Sequence, residues 1–178
     1  MNFHEFILIG VLFQFFDINI GTFDVIPDFV GFLMIAYAFS RAKARDAKLG
    51  MWCAAMLSIS SLVEVVWPSL LEDSVNLWLQ ILAIILGLVT VLYFACIFSV
   101  SKDILQGEDS RFPVVFISVQ LVMELFTSIG MHFPLGIFEG LMIVVMVLLF
   151  GFYIYFIVFL WQRVKRERVL LEEVNGSS

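Results

Sequence analysis

Gln120, Glu124, Ser128 and His132 recur at intervals of four residues, with Thr127 beside them, so a helix through this stretch carries an amide, an acid, a hydroxyl and an imidazole along one face. Such a face points into a helical bundle rather than at lipid, because a carboxylate in hydrocarbon is costly unless it is protonated or meets a cation. Glu124 lies near the middle of its apolar stretch, twelve positions after Phe112 and eight before His132. Two chemistries suit it. It is either a protonated member of an interhelical hydrogen-bond seam or the anionic wall of a site for a ligand, an ion or a proton.

Other carboxylates share the same half of the chain's polar groups: Asp17, Asp24, Asp28, Glu64, Glu72, Asp73 and Glu139. Glu72 and Asp73 read as solvated loop residues, and Glu64 and Glu139 lie close enough to an interface to reach water. Ser58, Ser61 and Glu64 on one apolar stretch, Asn76 and Gln80 on the next, and Gln14 with Asp17 on the first supply partners for a polar seam. Together they predict a polar cavity walled by acidic and amide side chains with aromatic neighbours, suited to a cationic or proton-linked solute. An enzyme is not expected. The chain has no H-E-x-x-H, no serine in a G-x-S-x-G setting, and no Cys and His at matching depth. An aspartyl mechanism would draw on Asp17 with Asp24 or Asp28, which could share a proton as a carboxylate pair. No cofactor is implied, and no metal, since His4 and His132 are expected on opposite sides of a membrane.

The elements that must position these groups are membrane helices. Of 178 residues, 62% are hydrophobic and 15% charged, with 20 Phe and a mean hydropathy of +1.03, far from the composition of a soluble domain. Six apolar stretches, residues 3–20, 25–42, 49–67, 75–99, 113–132 and 135–161, reach or approach the length that crosses about 30 Å of hydrocarbon. Backbone exposed to lipid has to satisfy its own hydrogen bonds, so each should be a helix. The expected class is therefore all-α: a polytopic bundle of about six spans over residues 1–162, followed by a tail, 163–178, that is basic and then acidic.

Charge supplies an independent test. All ten Lys and Arg fall into groups separated by an even number of spans: Arg41, Lys43, Arg45 and Lys48; Lys102 and Arg111; Arg163, Lys165, Arg166 and Arg168. Basic residues collect on the cytoplasmic side, which predicts a cell-membrane protein with both termini inside and the eight carboxylates named above in its outer half without permanent counter-ions. Trp67 and Trp78 flank an outer loop, and Trp52 and Trp161 an inner interface. The tail is expected either to continue the last helix or to lie on anionic headgroups. Cys53 and Cys96 fall near cytoplasmic ends, where thiols stay reduced, so no disulfide is expected. No removable signal peptide is expected either, because no basic residue precedes the first apolar run. Nucleic acid is disfavoured by the net charge of −6 and by the absence of a basic segment interleaved with aromatics.

Asp17 to Phe32, DINIGTFDVIPDFVGF, joins the first two spans. Pro27 suits the first turn of a helix, Asp24 and Asp28 suit its positive end, Gly21 a tight turn, and Gly31 close helix packing. This predicts a hairpin, with Asp24 and Asp28 on one face at the mouth of the cavity as its functional form. The string DVIPDFVGF resembles the DILPDFIGY type of hairpin near the start of small multi-span membrane proteins of Gram-positive bacteria, which implies a bacterial setting and the same topology. The size and six-span layout are similar to those of the substrate-binding subunits of energy-coupling-factor transporters. Their Ala-x-x-x-Ala spacing, usual in the first helix, occurs here as Ala38 and Ala42 in the second. That likeness implies a small-solute binding or transport component, with a partner membrane subunit. The competing expectation is a non-catalytic regulatory, immunity or envelope-assembly factor that binds partners, with Gly87, Gly130, Gly136 and Gly140 permitting close contacts.

Overall fold

A computed structural model describes residues 2–15, 19–20, 23–24, 28–66, 77–105, 111–130 and 138–176, with the backbone alone at 15, 19–20, 23–24, 77, 79–80, 124–130, 138–146, 149 and 174–176. The described chain is helical: α1 (Phe3–Phe15), α2 (Asp28–Arg41), α3 (Ala47–Val66), α4 (Leu77–Ile104), α5 (Phe112–Gly130) and α6 (Phe138–Gly176). Between α1 and α2 lie two short strands, β1 (Asn19–Ile20) and β2 (Phe23–Asp24), paired antiparallel with Asn19 opposite Asp24 and Ile20 opposite Phe23. The expected hairpin thus forms, but as a short ladder. α1 is described to Phe15 and Asn19–Ile20 are strand, and α2 starts at Asp28, just after Pro27 in the sequence, a residue suited to the start of a helix. Asp17, Gly21 and Pro27 lie outside the described residues.

Each helix packs antiparallel to the next, as paired contacts show. Phe3 meets Phe39 and Phe6 meets Tyr37 between α1 and α2. Ser58 donates to the Phe29 carbonyl between α3 and α2, at 3.0 Å. Asp46, just before α3, bonds Ser99 of α4, Phe98 of α4 meets Phe112 of α5, and Phe112 meets Phe159 of α6. α6 returns against α1.

Two kinds of packing divide the bundle. α1, α2 and α3 approach through glycines. A Cβ at Gly31 would stand 2.5 Å from the Gly10 carbonyl oxygen, and one at Gly50 would stand 2.5 Å from the Phe39 ring. Close backbone approach of this kind is how helices gain dispersion energy where the surroundings are as apolar as the side chains. α4, α5 and α6 instead interlock through rings. Phe94, Phe98, Phe116 and Phe156 contact one another at centroid separations of 4.8 to 5.6 Å, most of them edge to face.

Two described helical segments are long and apolar enough to cross a membrane, Ala47–Val66 and Ile81–Ile104; Phe3–Gln14 and Phe112–Met123 are shorter apolar helices. α6 continues through position 163 to Gly176 without a break, so the basic tail extends the last helix.

Candidate functional site

Gly31 sets the first wall of the site. Because it has no side chain, Gln14 of α1 lies across it; a Cβ there would come within 3.0 Å of Gln14 Cγ. Asp28 begins α2 three residues earlier, at the positive end of the helix dipole, where a carboxylate is favoured. The opposite wall comes from the ring cluster. A partly open cavity of about 300 Å³ results, lined by Val11 and Gln14 of α1, Asp28 and Phe32 of α2, Phe94 of α4 and Tyr153 of α6. Tyr93 stands behind it, fully buried, with its ring 5.8 Å from that of Phe32. The buried Gln14 amide nitrogen and the Tyr93 hydroxyl complete no hydrogen bond among the described residues, although the two groups are near enough to influence each other. Buried polar groups in this condition are rare and call for a partner.

At the other end of the same helices, the one carrying the basic residues, buried polar groups bond one another. His4 is wholly buried, and Ser101 and Glu167 nearly so. His4 Nδ1 lies 2.8 Å from Glu167 Oε2, and the His4 backbone N–H donates to that oxygen at 3.1 Å. His4 Nε2 lies 2.8 Å from Ser101 Oγ. Burial pushes the Glu167 carboxyl upward, but the hydrogen bonds and charge of His4 outweigh it and hold the group below its ordinary value. An ionised Glu167 can only accept, so Nδ1 carries the hydrogen, and Nε2 and the Ser101 hydroxyl form the second bond of the ring. Beside this network Arg168 reaches Glu5 Oε1 through Nη2 at 2.6 Å and Nε at 2.8 Å, and Ser99 donates to Asp46 at 2.5 Å. Arg163 is buried with its guanidinium 4.7 Å from the centre of the Phe159 ring.

The order serine, imidazole, carboxylate is that of a nucleophile with its base and orienting acid. Ser101 lies within α4, however, where helix hydrogen bonds engage the neighbouring backbone N–H groups, and it is 2% exposed. The arrangement performs the mechanical role of tying three helices together.

The expected site residues scatter. Asp28 lines the cavity together with Gln14, an expected partner. Gln120 is buried on α5, one turn beyond Phe116, whose ring packs on Phe94 and Tyr153 of the cavity wall. Glu124 and Ser128 lie on α5 and Asp24 on β2, with their side chains outside the described residues, as are Asp17 and His132 altogether. Glu64 is exposed in a separate, largely apolar groove between α3 and α4, with Met56, Ile59, Val63 and Leu82. Among the described residues no group of three His, Cys, Asp or Glu could hold a metal ion, and both cysteines are free and buried.

His4, Ser101 and Glu167 were not legible as a set. The one signal is that Leu160, Arg163, Val164 and Glu167 share a face of α6, so a helix that continues past Trp161 carries its inward stripe onto a glutamate. The sequence matches no family model, and no curated protein or solved structure is similar to the chain.

Proposed function

We propose that this is a multi-pass cell-membrane protein, with α1 to α6 as its spans and both termini cytoplasmic, whose cavity binds a small organic cation for transport. The membrane setting is supported by the outward faces of the helices, where Trp78 is 76% exposed, Val114 69% and Val147 66%; so large an apolar surface needs lipid. Orientation follows from the basic residues, none of which lies in segments 1–40, 49–101 or 112–162.

The observation that carries the function is the lining itself: a carboxylate, an amide and three aromatic rings around about 300 Å³. A carboxylate supplies charge, rings supply their negative faces, and together they favour a cation over a neutral solute of the same size. The α5 stripe of Gln120, Glu124, Ser128 and His132 would extend this wall outward, with Asp17 and Asp24 at its mouth. A bacterial host and a partner subunit are part of the same proposal.

Purified protein should bind tetramethylammonium, followed by calorimetry. Asp28→Asn should weaken that binding by about tenfold or more, near 1.4 kcal/mol. Equal affinity in Asp28→Asn, or no binding to the parent protein, would overturn the proposal. Native mass spectrometry of the same samples shows whether a solute or a partner subunit travels with the chain, and Glu124→Gln asks whether the stripe contributes. A partner without any bound cation would favour the regulatory alternative.

A further inference from the structure

The cavity and the polar ties at the basic end lie on the same seam. α1, α2 and α3 form one half, closed by the glycine contacts and by the bond from Ser58 to the Phe29 carbonyl. α4, α5 and α6 form the other, closed by the phenylalanine cluster. Each described residue lining the cavity can be assigned to one side: Val11, Gln14, Asp28 and Phe32 to the first half, Phe94 and Tyr153 to the second. The polar ties divide in the same way. His4 of the first half bonds Ser101 and Glu167 of the second, Glu5 pairs with Arg168, and Asp46 accepts from Ser99.

Within each half the glycine approaches and the ring cluster are close contacts, and so are hard to rearrange. Across the seam at the basic end they are directional polar bonds between side chains beside the cytoplasmic surface. Such bonds have two defined states, made or exchanged for water, and water can replace every one of them when the seam opens. Between ties and cavity the seam is filled by the fully buried Ile7, Ile97 and Leu160. Along α1 the distance from Gln14 to His4 is ten residues, about 15 Å, so the ties close the end of the seam remote from the cavity.

We propose that the two three-helix halves rock against each other to expose the cavity alternately at either end, with the His4, Ser101 and Glu167 network, the Glu5 and Arg168 pair and the Asp46 and Ser99 bond as the inner gate. This rests on the cavity being a solute site, and it adds the route by which a solute would leave toward the cytoplasm. The structure is then the state with its inner gate shut. α1 begins at the basic end whereas α4 begins at the opposite one, so the halves enter the membrane in opposite senses, an arrangement that suits rocking about a central site.

The test uses the full chain carrying Cys53→Ala and Cys96→Ala, with Val11→Cys as the only thiol, in liposomes of known orientation. A membrane-impermeant maleimide is added to one face at a time. With the gate intact the thiol should label from the outer face; Ser101→Ala combined with Glu167→Gln should raise labelling from the cytoplasmic face by about tenfold or more. Cytoplasmic labelling within about twofold of the parent, in variants that stay monodisperse, overturns the gate. A second measurement avoids weakening the fold: bridging Glu5→Cys to Arg168→Cys with a membrane-impermeant bismaleimide added from the cytoplasmic face before the reporter is labelled should abolish cytoplasmic labelling while outer labelling persists, and its failure to do so also overturns the gate. Protection of the reporter by tetramethylammonium separates the two ideas. Gate-dependent labelling without protection supports the gate and overturns the cation site, whereas protection with no dependence on the gate overturns the gate alone.

Discussion

The two ends of the seam between the helix halves differ in how their polar groups are satisfied. At the basic end a histidine, a serine and a glutamate are buried and each finds a partner within 2.8 Å. At the cavity end the Gln14 amide nitrogen and the Tyr93 hydroxyl are buried with no completed hydrogen bond among the described residues. Burial is similar, so dielectric alone does not separate them. A site built to hold the fold together saturates its donors and acceptors, while one built to receive something from outside keeps some in reserve.

The hardest test of that difference removes the centre of the saturated end. His4→Ala leaves Ser101 without its imidazole partner and Glu167 with main-chain donors alone, a charge kept buried after its partner is gone. Breaking such a pair costs about 3 kcal/mol, at the low end of the usual range because the Glu167 side chain keeps 12% exposure. Unfolding in mild detergent should show that loss, and His4→Asn, whose amide can stand in for Nδ1–H, should recover part of it. An unchanged stability would mean that the network contributes nothing and that the two ends are alike.

Gly31→Ala acts on the wall that shapes the cavity. The added methyl would meet the Gly10 carbonyl oxygen at 2.5 Å, and a backbone atom cannot turn aside as a flexible side chain can. α1 and α2 must separate, at about 2 kcal/mol. Because the same Cβ approaches Gln14, tetramethylammonium affinity should fall together with stability. A stable variant with intact binding would show that the glycine contact does not position Gln14.

How much of this was legible follows from which forces act at each place. The helical class followed from six long apolar stretches, and Gly31 was recognised as a packing glycine from its place at the head of α2. Its partner Gly10 was missed, because one glycine in an apolar helix looks like any other until the facing helix is known. Asp28 and Gln14 could be named as cavity residues since each stands at a helix end among carboxylates. His4 and Glu167 are 163 positions apart, and no local pattern links them. The basic run around Glu167 reads as positive charge, whereas Arg163 and the carboxylate of Glu167 are both buried. The span 3–20 was too long because the apolar run continues into the ladder at Asn19–Ile20, where the backbone hydrogen bonds pass from helix to strand.

Acid gives a smaller effect, since protonating Glu167 neutralises the charge but leaves an oxygen able to accept from His4. The groups that face it are the His4 ring and the main-chain N–H groups of Phe3 and His4, with Ser101 on the far side of the ring. A carboxyl held below its ordinary value of 4.5 contributes stability that is complete above that value and is lost as pH falls through the folded-state value. Parent stability should therefore decline below about pH 4.5 more steeply than that of Glu167→Gln, which has no proton to take up. Parallel curves would place the acid sensitivity in other carboxylates.

The smallest expected effect lies at the unsaturated end and is the sharpest contrast with His4→Ala. Tyr93→Phe deletes a hydroxyl that is fully buried, like the His4 ring, but that completes no hydrogen bond among the described residues. Removing it returns no lost bond and relieves a desolvated polar atom, so stability should stay within about 0.5 kcal/mol of the parent or rise. The ring contacts with Phe32 and Phe94 remain. A large loss of stability would instead show that the hydroxyl is engaged in the fold, and the two ends of the seam would then obey the same rule.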